Sequence, residues 1–214
     1  MDGAALQVSI RRPRRTGAAR SLPRAVAALL GFCGIASGVS PAHASEDVPD
    51  RNWRPAATFV QLGGNSSADN WTLGVQWTWQ RDWQWGHSVH AQGHWELSAG
   101  RWASKQSWRN DDRDWFTQIT FTPMLRLTTA RSSRWYVDVG SGPTLLLPVY
   151  VDRERTFSTQ FNFQTQIAAG RLLGANRQHD LAVCIAHISN AEIEQPNPGL
   201  NLYALRYTWR FARP

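Results

Sequence analysis

His187 and Ser189 stand two residues apart in the stretch from Asp180 to Asn190, near the end of a 214-residue chain. An imidazole beside a hydroxyl is the pair that a serine hydrolase needs, a base to take a proton and an oxygen to attack. Read with a period of two, Leu181, Val183, Ile185, His187 and Ser189 share one face, and Ala182, Cys184, Ala186 and Ile188 share the other. On a strand the two polar groups then lie about 6–7 Å apart at Cα, at the end of an aliphatic stripe. The chemistry this predicts is nucleophilic attack at an apolar boundary. Two polar groups bonded to loop backbone at a strand end satisfy the same spacing, so the residues alone leave both readings open.

The elements that must position this pair begin after residue 44. Arg11, Arg12, Arg14, Arg15, Arg20 and Arg24 precede an apolar run from Ala25 to Val39, and Ala42-His43-Ala44 has the form of a cleavage site. These features predict a secretory signal peptide over 1–44 and a single domain over 45–214. Six of the 23 basic residues and one of the 16 acidic ones fall in the leader, leaving 17 and 15, a net of +2. The basic character of the whole chain therefore belongs to the leader, and nothing argues for a nucleic-acid partner. Cys184 is the one cysteine left once Cys33 departs, so no intramolecular disulfide is expected. All 12 tryptophans lie beyond the leader, a load that suits membrane interfaces but also ligand-binding barrels.

Eight segments alternate apolar with polar residues and no helical period separates them. The expected strands are 57–63, 71–79, 87–99, 115–127, 135–146, 160–169, 181–189 and 201–211. Gly140-Ser141-Gly142-Pro143 marks a bend within the fifth. The polar faces carry His90, His94, Glu96, Asp138, Arg206 and the row Gln160, Asn162, Gln164, Gln166. Such faces make sense as a hydrogen-bonded interior with the apolar faces turned to lipid. Connections read as long after the odd strands and short after the even ones, the pattern of extracellular loops and periplasmic turns. The fold class expected is all-β, an eight-stranded antiparallel transmembrane β-barrel with both termini periplasmic; a soluble lipocalin-like barrel is the weaker fit. The seventh strand then runs outward, with His187 and Ser189 on the lipid side of its outer end.

His187-Ile188-Ser189-Asn190-Ala191, followed by Gln195-Pro196-Asn197-Pro198-Gly199 and a Tyr-rich closing strand, resembles the PagL-type lipid A 3-O-deacylases. The resemblance is carried mostly by Leu181 to Phe211. It implies a bacterial outer-membrane serine esterase, its site facing the outer leaflet, that hydrolyses the 3-O-acyl (3-hydroxyacyl) chain of lipid A in lipopolysaccharide. It makes His187 the base and Ser189 the nucleophile, with no organic cofactor and no metal. It leaves homodimer formation open. Asn190 and the neighbouring loop amides become candidates for oxyanion stabilisation. The family's third triad member is a glutamate twelve residues after the serine, and here that position is Asn201, a neutral carboxamide that orients an imidazole without a full negative charge. Glu192 or Glu194 is the other source of that charge. The alternative from a different class is a non-catalytic barrel, structural or lipid-binding, in which Asn201 marks lost activity.

Other clusters read more plainly. His90, His94 and Glu96 share a strand face, which makes them a row along an interior wall before a metal site. Cys184 faces inward as a packing residue. Arg109 and Arg113 belong to a solvated loop, with contact to lipid A phosphates as a minor reading.

Overall fold

A computed structural model describes residues 54–86, 88–105 and 114–211. The leader, His87, Arg109 and Arg113 lie outside the described residues, and so do the expectations placed on them. The described chain forms eight strands: β1 Ala57–Gly64, β2 Ala68–Trp85, β3 Val89–Ser104, β4 Trp115–Thr128, β5 Trp135–Leu147, β6 Phe161–Leu173, β7 His179–Ser189 and β8 Leu200–Arg210. Each pairs antiparallel with the next, and β1 closes on β8 from Ala57↔Arg210 to Gly64↔Tyr203, so the sheet has no edge. Closure is what lets a sheet sit in lipid, where no water exists to satisfy an exposed backbone group.

The alternation seen in the sequence becomes an inverted barrel. Leu73, Leu97, Ile119, Leu145, Ile167, Ile185 and Leu205 are exposed on the outside. Trp71 and Trp115 flank this band at one rim, and Trp85, Trp135 and Trp209 flank it at the other. These are the two aromatic girdles of a membrane barrel. Trp102 departs from the belt and is buried inside.

Two charged clusters fill the interior. Arg206 donates to Glu96 Oε1 at 2.7 Å and to Gln61 Oε1 at 3.0 Å, and His94 and Gln76 also meet that Glu96 oxygen. Arg126 grips Asp138 through two parallel bonds of 2.8 and 2.7 Å and approaches Asp180 at 3.3 Å. Tyr136 donates to Asp180 and lies under the Arg126 guanidinium. His94 and Glu96 thus serve an ion cluster that ties β2, β3 and β8 together. Toward the rim where β7 ends, an apolar plug replaces the charges: Trp102, Phe116, Leu146, Tyr150, Phe157, Ile188, Leu200 and Leu202 pack together.

Two expectations about connections are corrected. The first loop is only 65–67, because Asn65 Oδ1 accepts from the amides of Ser67 and Ala68, both at 2.8 Å, and closes a tight turn. Asp69 and Asn70 then pair with β1. At its other end β2 runs past an irregularity between Thr78 and Asp82 and continues to Trp85, where Gly86 turns with φ +59°. The other connections keep the expected asymmetry, 105–114, 148–160 and 190–199 against 86–88, 129–134 and 174–178. Gln160 lies in a loop and is exposed, so the interior row begins at Asn162.

Breaking the buried pair at the centre tests the interior. Glu96→Ala leaves Arg206 buried without its acid and should cost about 3–5 kcal/mol. Heat-driven unfolding followed by gel mobility should show it, and Glu96→Leu with Arg206→Met should recover most of the loss.

Candidate functional site

Parity on β7 and β8 decides where the candidate residues sit. Ile188 is 0% exposed in the apolar plug, which forces its neighbours His187 and Ser189 to the outer face. On β8, Leu200 and Leu202 are buried in the same plug, which turns Asn201 outward. The register makes His187 and Asn201 direct partners across the two strands. Their side chains meet: His187 Nδ1 lies 2.7 Å from Asn201 Oδ1. A carboxamide oxygen can only accept, so this contact puts the proton on Nδ1 and leaves Nε2 of the neutral ring as a base.

Asn201 supplies that contact to His187, and neither Glu192 nor Glu194 does so among the described residues. Both glutamates are exposed in the loop 190–199. Ser189 sits one step nearer the rim than His187, opposite Phe163 of β6. Asn190 lies just past the strand and is 1% exposed. Its Nδ2 donates to Ser158 Oγ at 2.9 Å and to Glu194 O at 2.7 Å, and its Oδ1 accepts from Glu192 N at 3.0 Å. Its backbone amide donates to Asn197 Oδ1 at 3.1 Å. The Asn190 side chain therefore organises the loop with every polar atom it has. Ala191 and Glu192 follow at φ 54° and 63°, a left-handed pair that reverses the chain at once.

Three neighbours hold the site that the spacing of its residues does not reveal. Asn65, in the first turn, donates Nδ2 to Asn201 O at 2.8 Å and fixes the strand end that carries the imidazole's partner. Arg155 donates to Gly199 O at 3.3 Å, and Ser158 donates to Glu194 O at 2.9 Å, so loop 148–160 braces loop 190–199. That loop is itself anchored by Tyr150, which packs on Phe116 and Phe157 and donates to Asp152 Oδ2 at 2.7 Å. Burial and the Asp152 carboxylate push the Tyr150 phenol well above its ordinary range, so it stays a donor. Gly199 is the third neighbour. Its φ is +62°, and a Cβ there would stand 3.0 Å from His187 Cε1.

A cavity of about 570 Å³ opens at the opposite rim, lined by Arg126, Arg131, Arg177 and Arg210 among others. It takes no part in the His187 arrangement. Cys184 is buried, facing inward.

Fold and wall together define a class: a membrane barrel with a histidine, its carboxamide partner and a serine on the outer surface. The family model for Lipid A 3-O-deacylase (PagL) matches residues 71–210. Similar chains include the lipid A deacylase PagL of Bordetella bronchiseptica RB50, 34% identical over 116 residues, 54% of this chain and 61% of that one. That of Pseudomonas aeruginosa PAO1 is 27% identical over 142 residues, 66% of this chain and 78% of that one. A crystal structure of the outer membrane enzyme PagL shares the fold with TM-score 0.62 and 23% identity, over 73% of this chain and 100% of that one. The chain belongs to the PagL family of lipid A 3-O-deacylases. Family and barrel together place it in the outer membrane.

Gly199 gives the sharpest test of the geometry. Gly199→Ala combines a left-handed φ with a methyl against the imidazole, and should cost about 1–2 kcal/mol of stability. It should also displace His187 from Asn201, seen as a changed imidazole nitrogen shift in NMR of the folded barrel. An unchanged shift would mean the loop, not the ring, absorbs the methyl.

Proposed function

We infer that the chain is a serine esterase of the outer membrane which removes the 3-O-linked acyl chain of lipid A from lipopolysaccharide. The observation that carries this is the 2.7 Å contact between His187 Nδ1 and Asn201 Oδ1 on the lipid-facing wall, beside Ser189 on the same face. The site faces the outer leaflet, where this lipid resides, and the long loops face outward.

In this reading Ser189 Oγ gives its proton to His187 Nε2 and attacks the ester carbonyl carbon. The bond from that carbon to the sugar oxygen breaks, the proton passes from His187 to the departing oxygen, and an acyl-serine remains. Water activated by the same imidazole then attacks the acyl-serine and releases the fatty acid. Asn201 holds the tautomer but adds no full charge to the imidazolium that forms in both steps. A carboxylate in that place would add the attraction of opposite charges to the imidazolium's hydrogen bond, which a neutral carboxamide does not. The natural site is therefore detuned relative to one carrying glutamate. Asn190 acts through the loop it ties, and oxyanion stabilisation falls to amides of that loop.

The test is mass spectrometry of lipid A from cells expressing the chain. The wild type should remove one 3-hydroxyacyl chain, and His187→Ala and Ser189→Ala should remove none while still folding. Asn201→Glu should raise the rate by about tenfold, the difference between a charged and a neutral hydrogen bond to the ring. Asn201→Leu, which keeps the size and loses the acceptor, should lower it. A wild type that leaves lipid A unchanged beside an active Asn201→Glu would mark the chain as a barrel whose catalysis has lapsed.

A further inference from the structure

The wall beside His187 carries a polar row that neither its oriented imidazole nor the nucleophile explains. Register links Asn201 on β8 to His187 on β7, His187 to Thr165 on β6, and Thr165 to Ser141 on β5. Four consecutive strands thus place a polar side chain at one level of the outer surface. The row next toward the barrel's middle is Tyr203, Ile185, Ile167 and Val139, and the row toward the rim beside Ser189 is Phe163 and Pro143. The polar row is confined to one level of an otherwise greasy wall.

Its far half has a hydrogen to spare. Ser141 Oγ and Thr165 Oγ1 lie 2.9 Å apart, and the bond between them uses one of two hydroxyl hydrogens. Among the described residues no acceptor meets the other. A donor left over in hydrocarbon is costly, and hydrophobic residues at both positions would remove the cost. The backbone is irregular there: the β4–β5 ladder, paired at Thr120↔Thr144 and Met124↔Gly140, lapses between those pairs, opposite Ser141. Gly140 and Gly142 flank Ser141, and a Cβ on either would strike β4 backbone within 2.4 Å, so the strand keeps its close approach only with glycine there.

Position relative to the nucleophile identifies what the pair would meet. Thr165 is the direct partner of His187 and so the diagonal neighbour of Ser189 on the same face, about 7–8 Å away at Cα. It lies on the side leading into the membrane. An acyl chain whose carbonyl carbon sits at Ser189 Oγ must run in that direction, and its first carbons cross the level of Thr165 and Ser141. A hydroxyl on the third carbon of the acyl chain falls there. We propose that the Ser141–Thr165 pair binds the 3-hydroxyl of the acyl chain and sets a preference for 3-hydroxyacyl over unsubstituted esters. This rests on the hydrolase reading of His187 and Ser189. The spare hydrogen is donated to the substrate hydroxyl, whose own hydrogen finds the remaining lone pairs of the pair.

The test uses the full-length protein in detergent and two glucosamine 3-O-esters, one with a 3-hydroxytetradecanoyl chain and one with tetradecanoyl. The wild type should favour the hydroxylated ester by about three- to tenfold in kcat/KM, the range of one net hydrogen bond. Thr165→Val and Ser141→Ala should bring the hydroxylated ester down to the rate of the plain one and leave the plain one unchanged. No preference in the wild type, or a preference that survives both variants, would overturn the proposal. Failure to cleave either ester would sink the hydrolase reading alone. Binding to Ser189→Ala, read by tryptophan fluorescence, then decides: a three- to tenfold difference in Kd lost with Thr165→Val supports the pair, and equal Kd values refute it.

Discussion

Lipid supplies no hydrogen bonds, and that constraint governs every other feature of this chain. A sheet can stand in it only if the first strand finds the last, as β1 and β8 do across eight residue pairs. Once the backbone is closed, the two sides of each strand face solvents of opposite character. Leu205 at 68% exposure and Asp138 at 1% are then both where they should be. The polar groups forced inward must satisfy one another, which explains why Arg126 is met by carboxylates of β5 and β7, and Arg206 by a carboxylate of β3 and carboxamides of β1 and β6.

The same parity gives His187 and Ser189 their address on the outer wall. A hydrolytic pair in a soluble enzyme lies in a pocket lined by the core. Here Ile188, the residue between His187 and Ser189, is the one that belongs to the core, and its two polar neighbours lie outside it. On the hydrolase reading proposed above, substrate reaches this pair by lateral motion in the leaflet. The cavity lined by Arg126, Arg131, Arg177 and Arg210 opens at the other rim and touches nothing at His187. What a pocket would do by enclosure, loops 148–160 and 190–199 do by bracing each other above the wall through Arg155, Ser158 and Asn190.

Alternation is local, so the inside and outside of β7 and β8 were legible from the sequence, and with them the faces of His187, Ser189 and Asn201. The meeting of His187 with Asn201 needed only that the two strands be neighbours. Contacts that depend on distant segments were not legible. Asn65 reaches Asn201 across 136 residues of sequence, and no period announces it. The polar string from Gly63 to Asn70 reads as a long loop because its residue types favour turns. Its closure into three residues depends on one Asn65 side chain accepting two amides. Gly199 stood in view within the Asn197-Pro198-Gly199 run, but its contact with the His187 ring required the register of β8.

On the proposed hydrolase reading, the level of His187 and Ser189 on the wall meets two needs of ester hydrolysis. The acyl chain must lie in hydrocarbon, yet the acyl-serine must be released by water, and only a narrow band at the rim offers both. Ser189 is the last residue of β7, with the polar loop directly above it and Ile185 two pairs of residues below. One register step deeper would leave the imidazole's hydrogen bond intact and strand the reaction without water. One step higher would keep the water and lose the hold on the chain. The fully buried trio Ile188, Leu200 and Leu202 fixes that height, because a slip of one residue in either strand would drive His187 or Asn201 into the apolar plug. Packing of the plug is in this sense the element that sets the level of His187 and Asn201 on the barrel wall.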